Sequence, residues 1–259
     1  MENTIDVKNV TMRFIMEQER TDTLKEYMVK LVRRKLKYTG FTALKDVSFS
    51  VRPGDSLALI GQNGSGKSTM LKLIAGVMEP TKGSVTVRGS IAPLIELSAG
   101  FDPDLTGREN IFLNGALLGY RRKFMQAIYD EIVDFADLGE FIDVPVRSYS
   151  SGMIARLGFS IATHVQSDIL VVDEVLAVGD YNFQQKCYRR MEQMLGTGKT
   201  LLFVSHDADQ VKKLCRRAVW LDHGKLMADG PSGEVCDAYL EWAGKNGAIE
   251  QNDSERAEA

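Results

Sequence analysis

The chain has 259 residues, and its hydrophobic and charged fractions, 44% and 26%, are those of a soluble globular protein. Its net charge of −3 argues against a general polyanion-binding role, and its three separated cysteines lack metal-ligand spacing and suit reduced thiols. No apolar run approaches the roughly 20 residues that span a bilayer, and no signal-peptide pattern opens the chain, so work at a membrane is expected to need a partner.

The first elements are a strand, a basic helix and a second strand. Apolar residues alternate over 4–14 and again over 43–51, which predicts strands. Between them, apolar residues recur at helical spacing over 21–38, among six basic and two acidic residues. The sequence therefore predicts a basic amphipathic helix that interrupts the first strand pair.

The most informative segment follows the apolar strand Ser56–Ile60 and opens a helical pattern at Met70. Strand, glycine-rich turn and helix in this order form a P-loop, in which glycines let backbone N–H groups close around a phosphate chain. Lys67 is expected to reach the β- and γ-phosphates, and the Ser68 hydroxyl to ligate Mg²⁺. The residues of this predicted nucleoside triphosphate site are Gly61, Gln62, Asn63, Gly64, Ser65, Gly66, Lys67, Ser68 and Thr69.

The remaining elements predict an α/β fold. A short strand pair, a loop and a helix-rich stretch at 107–165 come first, and alternating strands and helices follow. The predicted later elements are strands at 83–87, 90–96, 169–172 and 200–204, and helices at 181–195, 208–215 and 232–243, with a hairpin turn at 223–224. This order predicts a mostly parallel sheet covered on both faces, and the helix-rich middle predicts a smaller subdomain.

Two further strand ends carry candidate catalytic groups. Asp173 and Glu174 end the apolar run 169–172, which places an acid pair where an open α/β sheet binds nucleotides. Asp173 is expected to hold Mg²⁺ and Glu174 to orient and deprotonate the attacking water. His206 follows the strand 200–204 and is a candidate partner of the γ-phosphate. Read alone, the pair suits a solvated strand end and the histidine a structural role.

A last segment, Tyr149–Met153, precedes a long helical pattern and is here called the signature segment. Read alone it is a helix N-cap, and the alternative is a second phosphate-binding helix N-terminus. P-loop, signature segment, acid pair and histidine in this order resemble the nucleotide-binding domain of ABC transporters over residues 4–240. The resemblance implies a P-loop NTPase fold with a mostly parallel core sheet, an antiparallel β portion and a helical subdomain. It also implies ATP and Mg²⁺ as cofactors and a homodimer. Ser150, Ser151 and Gly152 would then cap the γ-phosphate bound by the other copy, and Asp180 would lie at the dimer seam.

Three departures from the usual sequence of this family indicate one subfamily. The signature segment reads Tyr-Ser-Ser-Gly-Met where Leu-Ser-Gly-Gly-Gln is common, Glu96 replaces the usual glutamine near the Mg²⁺ shell, and the basic helix is inserted at 21–38. Together with the run Leu105–Asn110, these features look like the ATPase subunits of O-antigen, capsule and teichoic acid exporters. That resemblance implies a multispanning permease, a lipid-linked glycan and a place on the cytoplasmic face of the cell membrane.

Two assignments stay open within the resemblance. The helix at 21–38 is similar to one that this subfamily presents at the membrane interface, and its charge suits an anionic surface or a pyrophosphate head group. The alternative is a solvated helix covering a domain edge. Phe14 best matches the family's adenine-stacking aromatic, with Tyr38 and Phe41 as alternatives.

The expected organisation is one ABC ATPase domain over 1–243, with a helical subdomain at about 97–165 and a disordered tail at 244–259. One alternative function is a soluble ABC-type ATPase acting on ribosomes or nucleic acid, but such proteins usually join two domains or insert a coiled coil. Another ABC transporter type offers no counterpart of the insertion, and a P-loop kinase would not explain the signature segment. No nucleic-acid partner is expected.

Overall fold

A computed structural model describes residues 2–17, 38–94, 100–173 and 180–257. The strands are β1 (Ile5–Glu17), β2 (Tyr38–Val51), β3 (Ser56–Ile60), β4 (Lys82–Val87), β5 (Ile91–Leu94), β6 (Ile169–Val172), β7 (Thr200–Val204), β8 (Arg217–Asp222) and β9 (Lys225–Pro231). The helices are α1 (Lys67–Ile74), α2 (Gly107–Leu117), α3 (Arg122–Ala127), α4 (Tyr129–Ala136), α5 (Ser151–His164), α6 (Tyr181–Gly196), α7 (Ala208–Leu214) and α8 (Ser232–Ala257). Short 3-10 helices at Gly139–Asp143 and Val146–Ser148 connect α4 to α5. Within these ranges no helix is long and apolar enough to cross a membrane.

Two sheets form the framework. The larger has the strand order β5-β6-β7-β3-β8-β9, with parallel pairing from β5 to β8 and an antiparallel β8–β9 hairpin at its edge. The smaller is antiparallel, with the order β2-β1-β4. The mostly parallel core sheet and the antiparallel portion predicted for an ABC-type P-loop fold are confirmed.

The central strand β3 is buried on both faces because each face meets a different apolar cluster. Ala58 and Ile60 belong to the cluster shared with the helices α2 to α8, whereas Leu57 and Leu59 belong to the cluster beneath the antiparallel sheet and α1. A strand covered on both sides reads as a continuous apolar run, which is the pattern that the sequence shows. The strand end that precedes the P-loop is therefore held from both sides.

The first turn of α2 is organised by one buried amide. Asn110 is fully buried, and its side chain donates to the carbonyl oxygens of Asp102, Leu105 and Thr106 and accepts from the Asp102 N–H at 2.8 Å. Thr106 and Glu109 add a capping box at the same helix end. The loop before α2 is thereby fixed to the helix that it enters.

That loop is also tied to the chain entering the signature segment. The N–H of Val146 donates to Leu105 O and the N–H of Arg147 donates to Pro103 O, each at 2.9 Å. Arg147 also pairs with Asp104 at 2.9 Å. Residues 103–105 are therefore joined to residues 146–147 by two backbone hydrogen bonds and one exposed ion pair.

The structure differs from the sequence predictions in three places. The consecutive strands predicted at 83–87 and 90–96 do not pair with each other, because β4 joins the antiparallel sheet and β5 the parallel one. β1 continues to Glu17 and β2 begins at Tyr38, whereas the sequence predicted strands over 4–14 and 43–51. Most of the predicted helix at 21–38 lies outside the described residues.

The tail is the third difference. It was predicted to be disordered from 244, but α8 continues to Ala257. A helix that is already nucleated extends at little cost. An i,i+4 ion pair between Glu241 and Lys245, at 2.7 Å, supports that extension.

Candidate functional site

The parallel strands bring three of the predicted site segments to one edge. β3 lies beside β7, and β7 lies beside β6, so their carboxyl ends are neighbours. The P-loop follows β3, Asp173 follows β6, and His206 follows β7 after the buried Ser205. Neighbouring strands are about 4.8 Å apart, which brings these segments within reach of one ligand.

The P-loop turn requires glycine at two positions. Gly61 has φ 148° and Gly66 has φ 106°, both in the region that L side chains rarely adopt. A Cβ on Gly61 would lie 2.1 Å from Leu221 O, and one on Gly66 would lie 2.7 Å from Ala43 O. The backbone here therefore passes against neighbouring carbonyls, which holds the loop in one shape.

Lys67 is buried and lies across this turn. Its Nζ donates to Gly61 O at 2.7 Å and to Gln62 O at 2.9 Å. Its side chain is only 6% exposed, which keeps the ammonium group inside the loop. A cation held at the centre of a glycine-rich turn raises the positive potential there.

The loop also has the donors that a phosphate chain needs. α1 begins at Lys67 after Gly66, without a side-chain cap and without an acidic residue in its first turn. The first N–H groups of a helix have no partner within it, and they attract anions. Ser65 Oγ is buried and has no hydrogen-bond partner in the part of the chain that the structure describes. These features fit a bound triphosphate.

One further turn follows the neighbouring strand β7. Asp207 caps α7 by accepting from the N–H groups of Asp209 and Gln210, and its own N–H donates to Ser205 Oγ at 3.0 Å. His206 is exposed at the tip of this turn. Asp173 is half-buried directly after β6. The backbone thus presents both side chains at the edge where the P-loop lies.

The signature segment lies in the helical part of the molecule. Ser150 is the N-cap of α5, and its Oγ accepts from the Met153 N–H at 3.2 Å. Tyr149 is buried and donates its hydroxyl proton to Phe141 O at 2.5 Å. Ser150 and Ser151 are exposed and Gly152 is half-buried, so this helix end is presented to the surroundings.

Asp180 is the N-cap of α6. Its Oδ1 accepts from the Phe183 N–H at 2.9 Å, and that hydrogen bond, with the nearby positive charge of Arg156, holds the pKa of the Asp180 carboxyl below its usual value. Arg156, on α5, donates to the other carboxylate oxygen. The sequence prediction missed Arg156, because no spacing rule connects a mid-helix arginine with a later N-cap.

The remaining predicted residues divide into two groups. Glu174 and Glu96 lie outside the described residues. Of the aromatic candidates, Phe14 is half-buried against the cluster beneath the antiparallel sheet and stands opposite Phe41, which is 51% exposed. Tyr38 pairs with Glu17 at the far end of the same two strands.

Comparison with known proteins identifies the class of this protein. A model of the ABC transporter family matches residues 44–177. The chain therefore belongs to the ABC transporter family and is an ATP-binding, ATP-hydrolysing member of it. A dimeric structure of an ATP-binding cassette with ADP and Pi superposes with a TM-score of 0.71 at 23% identity, over 88% of this chain and 98% of that one. At this identity the likeness shows the fold alone.

Individual relatives place the chain within the family. It is 46% identical to the O-antigen export system ATP-binding protein RfbB of Klebsiella pneumoniae, over 92% of this chain and 98% of that protein. It is 42% identical to the teichoic acids export ATP-binding protein TagH of Bacillus anthracis, over 95% of this chain and 44% of that protein. The resemblance to polysaccharide-export ATPases is confirmed.

Proposed function

We propose that this protein is the ATP-hydrolysing subunit of an ABC exporter that moves a lipid-linked polysaccharide across the cytoplasmic membrane. The observation that carries the proposal is the 46% identity to an O-antigen export ATPase over nearly the whole of both chains. The compact P-loop around Lys67 supports the ATPase activity, because its geometry suits a triphosphate.

The predicted residues divide the chemistry among them. Lys67 and the loop N–H groups bind the β- and γ-phosphates, and Phe14 stacks on adenine. Glu174 accepts a proton from the water whose oxygen attacks the γ-phosphorus, while the bond to the β–γ bridging oxygen breaks and ADP leaves. His206 donates a hydrogen bond to the γ-phosphate and favours the charge that develops on its oxygens.

The donor set at this edge also suits Mg²⁺. Ser68 and Asp173 offer hydroxyl and carboxylate oxygens, which this hard cation prefers, and Glu96 would add a carboxylate to its outer shell. Bound there, Mg²⁺ supplies neutralisation of the phosphate charge. A second carboxylate in the Mg²⁺ shell, where a glutamine is usual, makes that shell more negative.

Two copies of the chain form the working unit in this proposal. Ser150, Ser151 and Gly152 of one copy bind the γ-phosphate held by the other, and Asp180 lies at the seam. The closed dimer is favoured only while both γ-phosphates are present, so hydrolysis shifts the population back to the open state. A multispanning permease converts this cycle into outward movement of the glycan.

Each predicted segment of the chain has a role in this proposal. Residues 1–243 act as the ATPase unit, and the helical stretch at about 97–165 carries motion to the permease. The basic insertion at 21–38 lies at the membrane surface beside the glycan-lipid head group. The subunit is thus held peripherally on the cytoplasmic face through its permease.

The proposal is tested with the variant Glu174→Gln, which retains size and polarity but cannot accept the proton. We expect it to bind MgATP, to dimerise and to hydrolyse about 100-fold or more slowly than wild type, since general bases contribute about 10²–10⁴-fold. The tagged variant is purified from native membranes with MgATP in mild detergent and its companions are identified by mass spectrometry. Lys67→Met, which weakens phosphate binding, is the matched control.

A multispanning protein that co-purifies with Glu174→Gln together with polyprenyl-linked sugar supports the exporter. Recovery of ribosomal or nucleic-acid partners instead refutes the assignment as an exporter subunit, but it does not contradict the ATPase activity. Normal turnover of Glu174→Gln removes Glu174 as the base.

A further inference from the structure

Arg156 stands where three helices meet. It lies on α5, and its guanidinium pairs with the carboxylate of Asp180 at the start of α6. Its Nη1 also donates to Asp137 O at 3.4 Å, at the left-handed residue that ends α4. The guanidinium carbon lies 4.8 Å from the centre of the Phe183 ring. One side chain thus joins the signature helix to two others.

Arg156 is held by more than its ion pair with Asp180, whose own side chain is 58% exposed. The Arg156 side chain is 18% exposed, so its position is fixed more firmly than that of a solvated arginine. Phe183, on which it rests, is itself buried and packs edge-on against Phe159 of α5 at 6.3 Å. The charges also suit the helix ends: Asp180 lies at an N-terminus, and Arg156 contacts the C-terminal end of α4.

The two helix starts that Arg156 connects, those of α5 and α6, have different roles in the proposed dimer. α5 begins at the signature segment, which is proposed to bind the γ-phosphate of the other copy. Asp180 lies at the proposed seam, and the chain reaches it shortly after Glu174, the base that acts on this copy's own ATP. Arg156 therefore connects a group serving one ATP with a group beside the other.

We infer that Arg156 is a positioning residue that couples the two ATP sites of the dimer by holding Asp180 to the signature helix. Engagement of the signature segment by the partner's ATP moves α5, and the Arg156–Asp180 pair carries that movement to the start of α6. The inference rests on the proposed function, since it requires two sites shared between two copies.

The test measures ATP hydrolysis by the full-length protein as a function of ATP concentration. For Arg156→Gln we expect kcat to fall by about fivefold or more, which corresponds to about 1 kcal/mol in the activation free energy, with KM within about twofold of wild type. The Hill coefficient is expected to fall to about 1, and the affinity for a non-hydrolysable ATP analogue is expected to stay unchanged. Arg156→Lys retains the charge, so it is expected to recover part of the cooperativity.

The control is Arg108, which makes the same two kinds of contact away from the site, although its side chain is 48% exposed. It pairs with Asp143 at 2.6 Å, and its guanidinium carbon lies 5.1 Å from the centre of the Tyr129 ring. Arg108→Gln is expected to leave kcat and the Hill coefficient unchanged. Thermal melting of both variants shows whether lost stability explains any difference between them.

A double-mutant cycle with Asp180→Asn separates the effect of the Arg156–Asp180 pair on kcat from the effects of the other contacts of these two residues. If Arg156 acts through Asp180, the effects of the two substitutions on kcat are not multiplicative, and the double variant resembles either single one. The inference is overturned if the two effects on kcat multiply, or if Arg156→Gln keeps the wild-type kcat and Hill coefficient. In either case the proposed two-site function still stands. Hyperbolic kinetics and no ATP-dependent dimer in the wild type refute the shared sites and the inference together.

Discussion

Replacing Gly61 by alanine tests whether the turn at the end of β3 depends on the absence of a side chain. Gly61 has φ 148°, and an added Cβ would lie 2.1 Å from the carbonyl oxygen of Leu221 on the adjacent strand β8. That neighbour is backbone, so no rotation of a side chain relieves the overlap. Gly64 is the matched control: its φ is 79°, and an added Cβ would meet nothing within 4 Å.

The two substitutions therefore differ in steric overlap more than in backbone strain. A left-handed alanine costs about 1 kcal/mol, which is the whole expected effect of Gly64→Ala. Gly61→Ala adds overpacking against β8, which costs about 1–3 kcal/mol, so its total reaches about 3 kcal/mol. For a chain of this size each kcal/mol lowers Tm by about 2–4 °C, so Gly61→Ala is expected to lose about 6–12 °C and Gly64→Ala about 2–4 °C.

Thermal unfolding of the purified proteins, followed by circular dichroism, measures both shifts. A parallel series with MgATP shows whether the distorted loop still binds nucleotide, because a ligand of the native state raises Tm. We expect Gly61→Ala to lose most of that rise. Equal Tm values for the two variants, or a nucleotide-induced rise in Gly61→Ala as large as in wild type, would refute the steric argument.

Two further predictions concern the stability of the fold. Asn110→Ala removes the acceptor of the Asp102 N–H and the side-chain donor of three carbonyls that keep only their backbone donors, so it is expected to lower the free energy of unfolding in urea by about 1–3 kcal/mol. The half-buried Asn114→Ala, which removes fewer hydrogen bonds, is expected to lower it by less. Hydrogen bonds from Ser90 lower the pKa of Asp168 below 3.8, so this carboxylate stabilises the fold above that pH and the contribution is lost as the pH falls through the lower, folded-state value. Asp168→Asn is therefore expected to flatten the acid side of the stability curve, and an unchanged curve would contradict the assignment.

Local sequence was sufficient where structure depends on local geometry. The P-loop, the strand β3 and the N-cap Ser150 were predicted because each depends on glycine, on a continuous apolar run or on a hydroxyl at a fixed offset. The separation of β4 and β5 into different sheets was not predicted, since strand periodicity says nothing about which neighbour a strand chooses. Arg156 was missed for a similar reason, because its contacts come from helices distant in sequence.

The two helix N-termini that are proposed to bind phosphate differ in their capping. α1 has no side-chain cap at its N-terminus, which suits the binding of an anion there, whereas α5 is capped by Ser150 Oγ. A hydroxyl has one proton and two acceptor positions, so Ser150 can accept from the Met153 N–H and still donate to a phosphate oxygen. The cap therefore stabilises the start of α5 without a nucleotide, which suits its proposed role of binding a phosphate held by another copy. Ser151, in place of the common glycine, adds a second exposed hydroxyl at that end, and the half-buried Gly152 still leaves room for close approach.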